Sequence, residues 1–169
     1  LWLLKSNKWV EHNLRAEAEI RKVSGDRLVF AERLPQAEHL GRHKLANLFL
    51  DTFNYNAHMT ASDALWGGLP VITKQGQQFS SRVASSLLMA CGLSELITNN
   101  EDDYEKLIIE LIEKPEKIYK IKQKLFKNIL KEPLFDTKRY TRNFENGLRG
   151  AYDNYFKGNI TQHIEVTED

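Results

Sequence analysis

The sequence predicts an α/β fold with a Rossmann-like, doubly wound parallel sheet and a helical C-terminal tail. Short apolar segments of strand length alternate with helical patterns up to about residue 100. Such alternation indicates parallel strands that are joined by crossover helices. Turns that contain glycine separate the segments at 25–26 and 67–68, and from Glu101 onward the pattern is helical throughout.

Each element has its own signal in the chain. Pro35 favours a helix start, Ser80 or Ser81 is expected to cap a later helix, and Gly92 is expected to end that helix. Apolar residues that recur every two residues indicate a strand, whereas apolar residues that recur every 3.6 residues indicate a helix. Strands are expected at 2–5, 27–31, 46–50, 71–73 and 96–98. Helices are expected at 8–23, 37–44, 60–66, 80–90, in the segments after 101, and at 140–156 with Asp136 as its cap.

The domain organisation follows from the same pattern. A partial Rossmann-like lobe is expected over 1–100, helices that pack on or across this lobe over 101–158, and a loose polar tail over 159–169. The chain starts with an apolar segment at Leu1 that has no leading turn, cap or signal-peptide pattern. We therefore expect the C-terminal part of a longer protein.

The composition excludes several functional classes. Hydrophobic residues make up 41% and charged residues 28% of the 169 residues, which is typical of a globular domain. Lys and Arg number 24 against 23 for Asp and Glu, so the sequence lacks the basic excess of a nucleic-acid-binding protein. Apolar runs are too short to span a bilayer. The single cysteine, Cys91, is expected in the core, and a cytoplasmic location without nucleic-acid or membrane partners follows.

The segment 50–73, LDTFNYNAHMTASDALWGGLPVIT, is the most informative part of the chain. It predicts a strand, a polar turn, a short helix and a second strand, so that the N-terminus of the helix faces the carboxyl end of the first strand. This arrangement favours an anion such as phosphate. His58 and Thr60 lie at the helix start as donors, and Asp63 is suited to accept two sugar hydroxyls. Alternatively, Thr60 and Asp63 form a capping box that only satisfies backbone donors.

A second group of polar residues follows the strand that ends at residue 31. His39 is a candidate to stack on a planar base, with main-chain groups of Leu34 and Gln36 at the edge of that base. Alternatively, His39 is an ordinary cap or surface residue. His39 and His43 have the spacing of a zinc-binding helix, but a third ligand is absent, and we expect no metal site.

Several motifs of the chain resemble one enzyme family. DALWGGLPVIT is similar to the signature that closes the nucleotide site of GT-B glycosyltransferases, and NAHMTASDALWGG resembles its form in protein O-GlcNAc transferases. Three further segments match this family in the same order, namely LPQAEHLGRHKLANLFLDT, SSRVASSLL and EPLFDTKRYT. The chain is identified as a member of the protein O-GlcNAc transferase family. The resemblance implies that it is the C-terminal lobe of a GT-B enzyme, truncated at its N-terminus.

The resemblance also implies a UDP-binding site. The family pattern P-x-x-E-H-x-x-R is kept here, and it implies that uracil and ribose are surrounded by Leu34, Pro35, Gln36, His39, Leu40, Gly41 and Arg42. It implies further that the diphosphate meets His58, Met59 and Thr60, and that the ribose hydroxyls meet Asp63. Two positions depart from the family, because Met59 replaces a threonine and Gln36 replaces a lysine of the animal enzymes.

The implied reaction is an inverting, metal-independent transfer of a sugar, N-acetylglucosamine above all, from a UDP-sugar to Ser or Thr of a protein. No cofactor is expected, and the catalytic residues are expected upstream of Leu1, where relatives also carry tetratricopeptide repeats that select the protein acceptor. Two alternatives stay open. One is a GT-B transferase with a non-protein acceptor, and the other is a degenerate lobe that serves as a protein-interaction module.

Overall fold

The computed structural model describes residues 1–159 and 161–166. Contacts divide the chain into two compact units, Leu1–Arg42 and His43–Asp169. Within the described residues, strands pair in parallel in both units, as one pair in the first and as a set of three in the second. Parallel strands that alternate with helices confirm the predicted α/β, Rossmann-like class.

The first unit is a parallel strand–helix–strand motif followed by a short helix. The side-chain oxygen of Asn7 caps the first helix and accepts hydrogen bonds from the backbone N–H groups of Trp9 and Val10, both at 3.0 Å. Gly25 allows the next segment to approach this helix, because a Cβ atom there would lie 3.0 Å from Cβ of Arg15. The elements are β1 (Trp2–Leu4), α1 (Lys8–Ile20), β2 (Val29–Ala31) and α2 (Gln36–Arg42).

The second unit carries the larger sheet and the remaining helices. Its strands follow the order β3-β4-β5, with Phe49 opposite Val71 and Thr73 opposite Ile97, so that their carboxyl ends lie along one edge. These elements are β3 (Phe49–Leu50), α3 (Met59–Trp66), β4 (Val71–Lys74), α4 (Val83–Ala90), β5 (Ile97–Thr98), α5 (Glu101–Glu113), α6 (Pro115–Asn128) and α7 (Thr137–Phe156).

The core of the second unit fixes the direction of α3. Ala61, Ala64 and Leu65 form its fully buried face, and they pack in one cluster with Leu111 of α5 and other apolar residues. The cluster also contains Cys91, as predicted, and burial raises the pKa of its thiol to about 11. None of the helices in the described part of the chain has the length and apolarity needed to cross a membrane.

The predicted stop after α3 is confirmed. Gly68 has a φ of +79°, a left-handed conformation in which L side chains are strained. Its N–H donates to the carbonyl of Leu65 at 3.0 Å, and that of Leu69 donates to Ala64 at 2.8 Å. This hydrogen-bond pattern ends the helix and turns the chain into β4.

The predicted serine cap of α4 is wrong. The helix begins at Val83, after a 3₁₀ turn, and no side chain caps it. The hydroxyl of Ser80 donates to the carbonyl of Asn54 at 3.2 Å, and that of Ser81 donates to Gln78 at 3.0 Å. Both serines therefore stabilise turns instead of the helix. By contrast, Asp136 caps α7 as expected.

Glycines of α7 give room to the segment that follows it. A Cβ atom on Gly150 would lie 3.1 Å from Cγ2 of Ile164, and one on Gly147 would lie 3.4 Å from Cγ2 of Val166. Ile164 and Val166 thus lie against the helix. A loose tail over 159–169 stays a prediction. Within this range, residues 160 and 167–169 lie outside the described part of the chain.

A buried row of polar residues crosses the carboxyl edge of the larger sheet. The carboxylate of Asp51, 5% exposed, accepts a hydrogen bond at 2.6 Å from the hydroxyl of Thr73, whose carbonyl accepts one at 3.0 Å from Thr98. The Tyr104 hydroxyl donates to the Asp51 carbonyl at 2.9 Å. Burial raises the pKa of Asp51, although hydrogen bonds from Thr73 and Ala57 oppose this shift. Burial also raises the pKa of Tyr104 to about 12.

We predict that Asp51→Asn removes one pH dependence of stability. Because the pKa of Asp51 is raised above 3.8 on folding, protonation of the carboxyl stabilises the fold; this contribution is present below 3.8 and is lost as pH rises through the raised pKa. The asparagine is always neutral, and its amide can still accept from Ala57 and donate to Thr73. The free energy of unfolding of the variant, relative to the natural chain, should therefore increase with pH over that interval.

The measurement is urea denaturation at a series of pH values from below 3.8 to neutral. Asp153→Asn, at an exposed carboxylate of α7, serves as the control and should not change the slope. Parallel pH profiles of the natural chain and Asp51→Asn would contradict the assignment.

Candidate functional site

A hydrogen-bonded loop connects β3 to the start of α3. Oδ1 of Asp51 accepts from the backbone N–H of Ala57 at 2.6 Å, which closes the loop on its first residue. Inside it, the hydroxyl of Thr52 donates to the carbonyl of Tyr55 at 2.5 Å, and Nδ2 of Asn56 donates to the carbonyl of Thr52 at 2.8 Å. These bonds hold the loop in one conformation, and this conformation sets where α3 begins.

The first turn of α3 presents unoccupied backbone donors to a crevice. The helix begins at Met59, His58 is its N-cap residue, and no side chain caps it. The first N–H groups of a helix have no partner within the helix, and its dipole favours an anion there. The crevice has a volume of about 560 Å³, and it is lined by Phe49, Leu50, Asp51, Thr52, Tyr55, Asn56, Ala57, His58, Met59 and Thr60.

The capping-box alternative is wrong. Thr60 already lies inside α3 as its second residue, so it cannot be the N-cap, and Asp63 falls in the second turn. The hydroxyl of Thr60 is exposed at the crevice. The half-buried Asp63 does not belong to the residues that line the crevice within the described part of the chain.

Two buried polar atoms beside this crevice have no hydrogen-bond partner among the described residues. They are Oδ1 of Asn56 and Nε2 of His58. An unpaired buried polar atom costs about 1–3 kcal/mol. The ring of His58 stacks on that of Tyr55, with centroids 4.7 Å apart, and meets the ring of Phe79 edge to face at 6.1 Å. The crevice therefore combines unused donors and acceptors with aromatic surfaces.

The residues predicted to hold a base lie in the first unit. Leu34, Pro35 and Gln36 are exposed at the start of α2, and Leu40 and Gly41 lie on its last turn.

Arg42 holds the ring of His39 in place. Its guanidinium donates to Nδ1 of His39 at 2.9 Å and to the carbonyl of Glu32 at 2.7 Å, and it lies over the ring of Trp2 at 5.1 Å. Because a guanidinium has no acceptor, Nδ1 must accept, and a neutral ring carries its proton on Nε2. Arg42 thus restrains His39, and it is also one of the residues predicted to contact the nucleoside.

Sequence reasoning predicted only His58, Met59 and Thr60 among the ten residues that line the crevice. Asp51, Tyr55 and Asn56 were not singled out, although Asp51 directly follows an apolar strand, the position at which parallel sheets place functional side chains. That position was the available signal for Asp51. For Tyr55 and Asn56 the sequence carried no comparable signal, because their contacts depend on the folded loop.

Comparison with known proteins identifies the family. A model of glycosyl transferase family 41 matches residues 1–144. A probable UDP-N-acetylglucosamine–peptide N-acetylglucosaminyltransferase SEC from Arabidopsis thaliana is 34% identical over the whole chain, and a UDP-N-acetylglucosamine–peptide N-acetylglucosaminyltransferase from Caenorhabditis elegans is 31% identical over 97% of it. The chain spans 17% and 14% of the length of these two relatives.

The fold agrees with this relationship. A mutant of the O-GlcNAc transferase from Thermobaculum terrenum superposes with a TM-score of 0.85 and is 25% identical, covering 91% of this chain and 30% of the matched one. The match to the family model extends over most of the chain, and the Arabidopsis relative aligns along all of it. The chain belongs to glycosyl transferase family 41 and has the α/β lobe of a GT-B O-GlcNAc transferase.

Proposed function

We propose that this chain forms the UDP-binding part of an inverting glycosyltransferase that moves N-acetylglucosamine from UDP-GlcNAc to Ser and Thr side chains of proteins. The plant and nematode relatives are named as transferases of N-acetylglucosamine from this donor to peptides. The observation that carries the proposal is the crevice at the end of β3. It is lined by the first turn of α3, which no side chain caps and which includes Thr60, and by the N-cap residue His58.

The chemistry of the crevice suits a departing diphosphate. During transfer, the oxygen of the acceptor hydroxyl forms a bond to the anomeric carbon while the bond to the phosphate oxygen breaks, and UDP leaves with the electron pair. The proton of the hydroxyl passes to a base that none of the residues named here supplies. Attack opposite to the leaving group inverts the anomeric centre. The backbone N–H groups of Met59 and Thr60 and the helix dipole stabilise the charge that develops on UDP, because they are already oriented before the reaction. Met59 offers only its backbone N–H in this role.

At the nucleoside end of the donor, His39 is proposed to stack on uracil. The bond from Arg42 to Nδ1 supports this role, since it restrains the plane of the imidazole ring. Main-chain groups from Leu34 to Gln36 are proposed to meet the edge of the base, and Leu40 and Gly41 to border the ribose. Asp63 is proposed to accept the ribose hydroxyls. These residues bind and orient the donor, and none of them is assigned as a catalytic base.

The transfer is proposed to need no metal ion. Among the described residues that line the crevice, Asp51 is the only carboxylate, and both of its oxygens already accept hydrogen bonds, from Ala57 and Thr73. Mg²⁺ at a nucleotide site ordinarily binds carboxylates and phosphates together. The N–H groups of α3 supply the positive potential instead.

A cytoplasmic location is also proposed. Cys91 is a buried free thiol, which suits a reducing compartment.

We predict that Thr60→Ala and Asp63→Ala each weaken UDP binding by the full-length protein. Each change removes about one hydrogen bond to the ligand, worth about 0.5–1.5 kcal/mol, and Kd should therefore rise about two- to tenfold. Isothermal titration with UDP measures the effect. Thr141→Ala and Asp153→Ala, both exposed on α7, are matched controls and should leave Kd unchanged. Unaltered affinity in both site variants would refute the proposed site.

We predict that removal of divalent metal leaves sugar transfer intact. Transfer of labelled N-acetylglucosamine to an acceptor peptide is measured with the full-length protein, before and after dialysis against a chelator. The two rates should agree, because charge stabilisation by backbone N–H groups requires no ion. A loss of rate that added Mg²⁺ or Mn²⁺ restores would contradict a metal-independent mechanism.

A further inference from the structure

Two aromatic rings enclose the imidazole of His58. The ring of Tyr55 lies nearly parallel to it, at 4.7 Å and 14°, and the ring of Phe79 stands almost perpendicular, at 6.1 Å and 85°. Stacked and edge-to-face pairs at these separations attract one another. Contacts with neighbouring rings therefore orient His58, together with its electrostatic attraction to Asp51, since its Nε2 has no hydrogen-bond partner in the described part of the chain.

Tyr55 contributes to this contact without belonging to the core. Its side chain is 65% exposed, so burial contributes little to its position. Its backbone is held instead, because its carbonyl accepts from the hydroxyl of Thr52 and the next residue, Asn56, donates its N–H to the carbonyl of Ser80 at 2.7 Å. The loop thus places an exposed aromatic ring directly against the residue that precedes the first turn of α3.

The buried Nε2 of His58 indicates that the ring is held. In this orientation the atom has lost contact with water and has gained no partner among the described residues, so the contacts between the rings must offset the cost of its burial. His58 as a residue lines the crevice. A side chain that restrains the imidazole keeps His58 beside the first turn of α3 before a ligand arrives, which lowers the entropy lost on binding.

We infer that Tyr55 is a positioning residue for His58: its stacked ring holds the imidazole beside the start of α3, in the lining of the crevice that receives the nucleoside diphosphate. The inference rests on the proposed function and adds to it a residue that acts through His58. The aromatic ring carries the effect, and the Tyr55 hydroxyl has no part in it.

The test is a double-mutant cycle on UDP affinity in the full-length protein. Tyr55→Leu should raise Kd about two- to tenfold, the value of one aromatic pair, whereas Tyr55→Phe should keep the natural affinity. In a His58→Ala background, Tyr55→Leu should have no further effect, because the residue on which Tyr55 acts is gone. Tyr119→Leu is the matched control, since Tyr119 on α6 has the same exposed fraction of 65%.

A second readout does not depend on UDP. In ligand-free protein, the ring protons of His58 should show the upfield NMR shift that a stacked ring produces. This shift should persist in Tyr55→Phe and disappear in Tyr55→Leu. If Tyr55→Leu melts at a lower temperature than Tyr119→Leu, Tyr55→Gln replaces it in both measurements.

The outcomes separate the two proposals. If the natural protein does not bind UDP, the proposed function fails, and the NMR shift alone then decides whether Tyr55 holds His58. If UDP binds but Tyr55→Leu leaves Kd unchanged, or raises it equally with and without His58, the positioning role of Tyr55 is overturned.

Discussion

The buried carboxylate of Asp51 is the interaction on which the site depends. One oxygen accepts from the backbone of Ala57 and the other from Thr73 on the neighbouring strand, while the Asp51 carbonyl accepts from Tyr104 of α5. A single residue thereby connects the end of β3, the loop before α3, the central strand and a helix. Since β3 contains only two residues, its ladder alone would leave the loop poorly restrained, and Asp51 supplies the missing constraint.

The site combines this polar anchor with an apolar one. The buried face of α3, formed by Ala61, Ala64 and Leu65, fixes the axis of the helix in the core, while Asp51 fixes the loop that enters it. Because both the axis of α3 and the loop before it are held, the first backbone N–H groups of α3 stay directed at the crevice. Preorganised donors of this kind stabilise developing charge without reorganisation during the reaction. Oδ1 of Asn56, which is buried without a partner among the described residues, is a cost in stability of this arrangement.

Local patterns predicted much of this arrangement and failed where tertiary contacts intervened. Gly67 and Gly68 end α3 as expected, because the left-handed turn at Gly68 depends mainly on the glycine itself. The serine cap of α4 failed, since the hydroxyls of Ser80 and Ser81 bond to turn carbonyls that the sequence pattern does not reveal. The capping box failed because α3 begins at Met59, two residues earlier than its pattern requires.

The sequence by itself determined the alternation of strands and helices, the parallel sheet, the family and the segments that carry the candidate site, because periodicity, turn residues and motifs are properties of neighbouring residues. Only the tertiary structure decided the burial of Asp51, the stack of Tyr55 on His58 and the bond from Arg42 to His39. These contacts depend on side-chain direction and desolvation. Both are set by how the loops fold against the sheet and helices, and the order of the residues does not encode them locally.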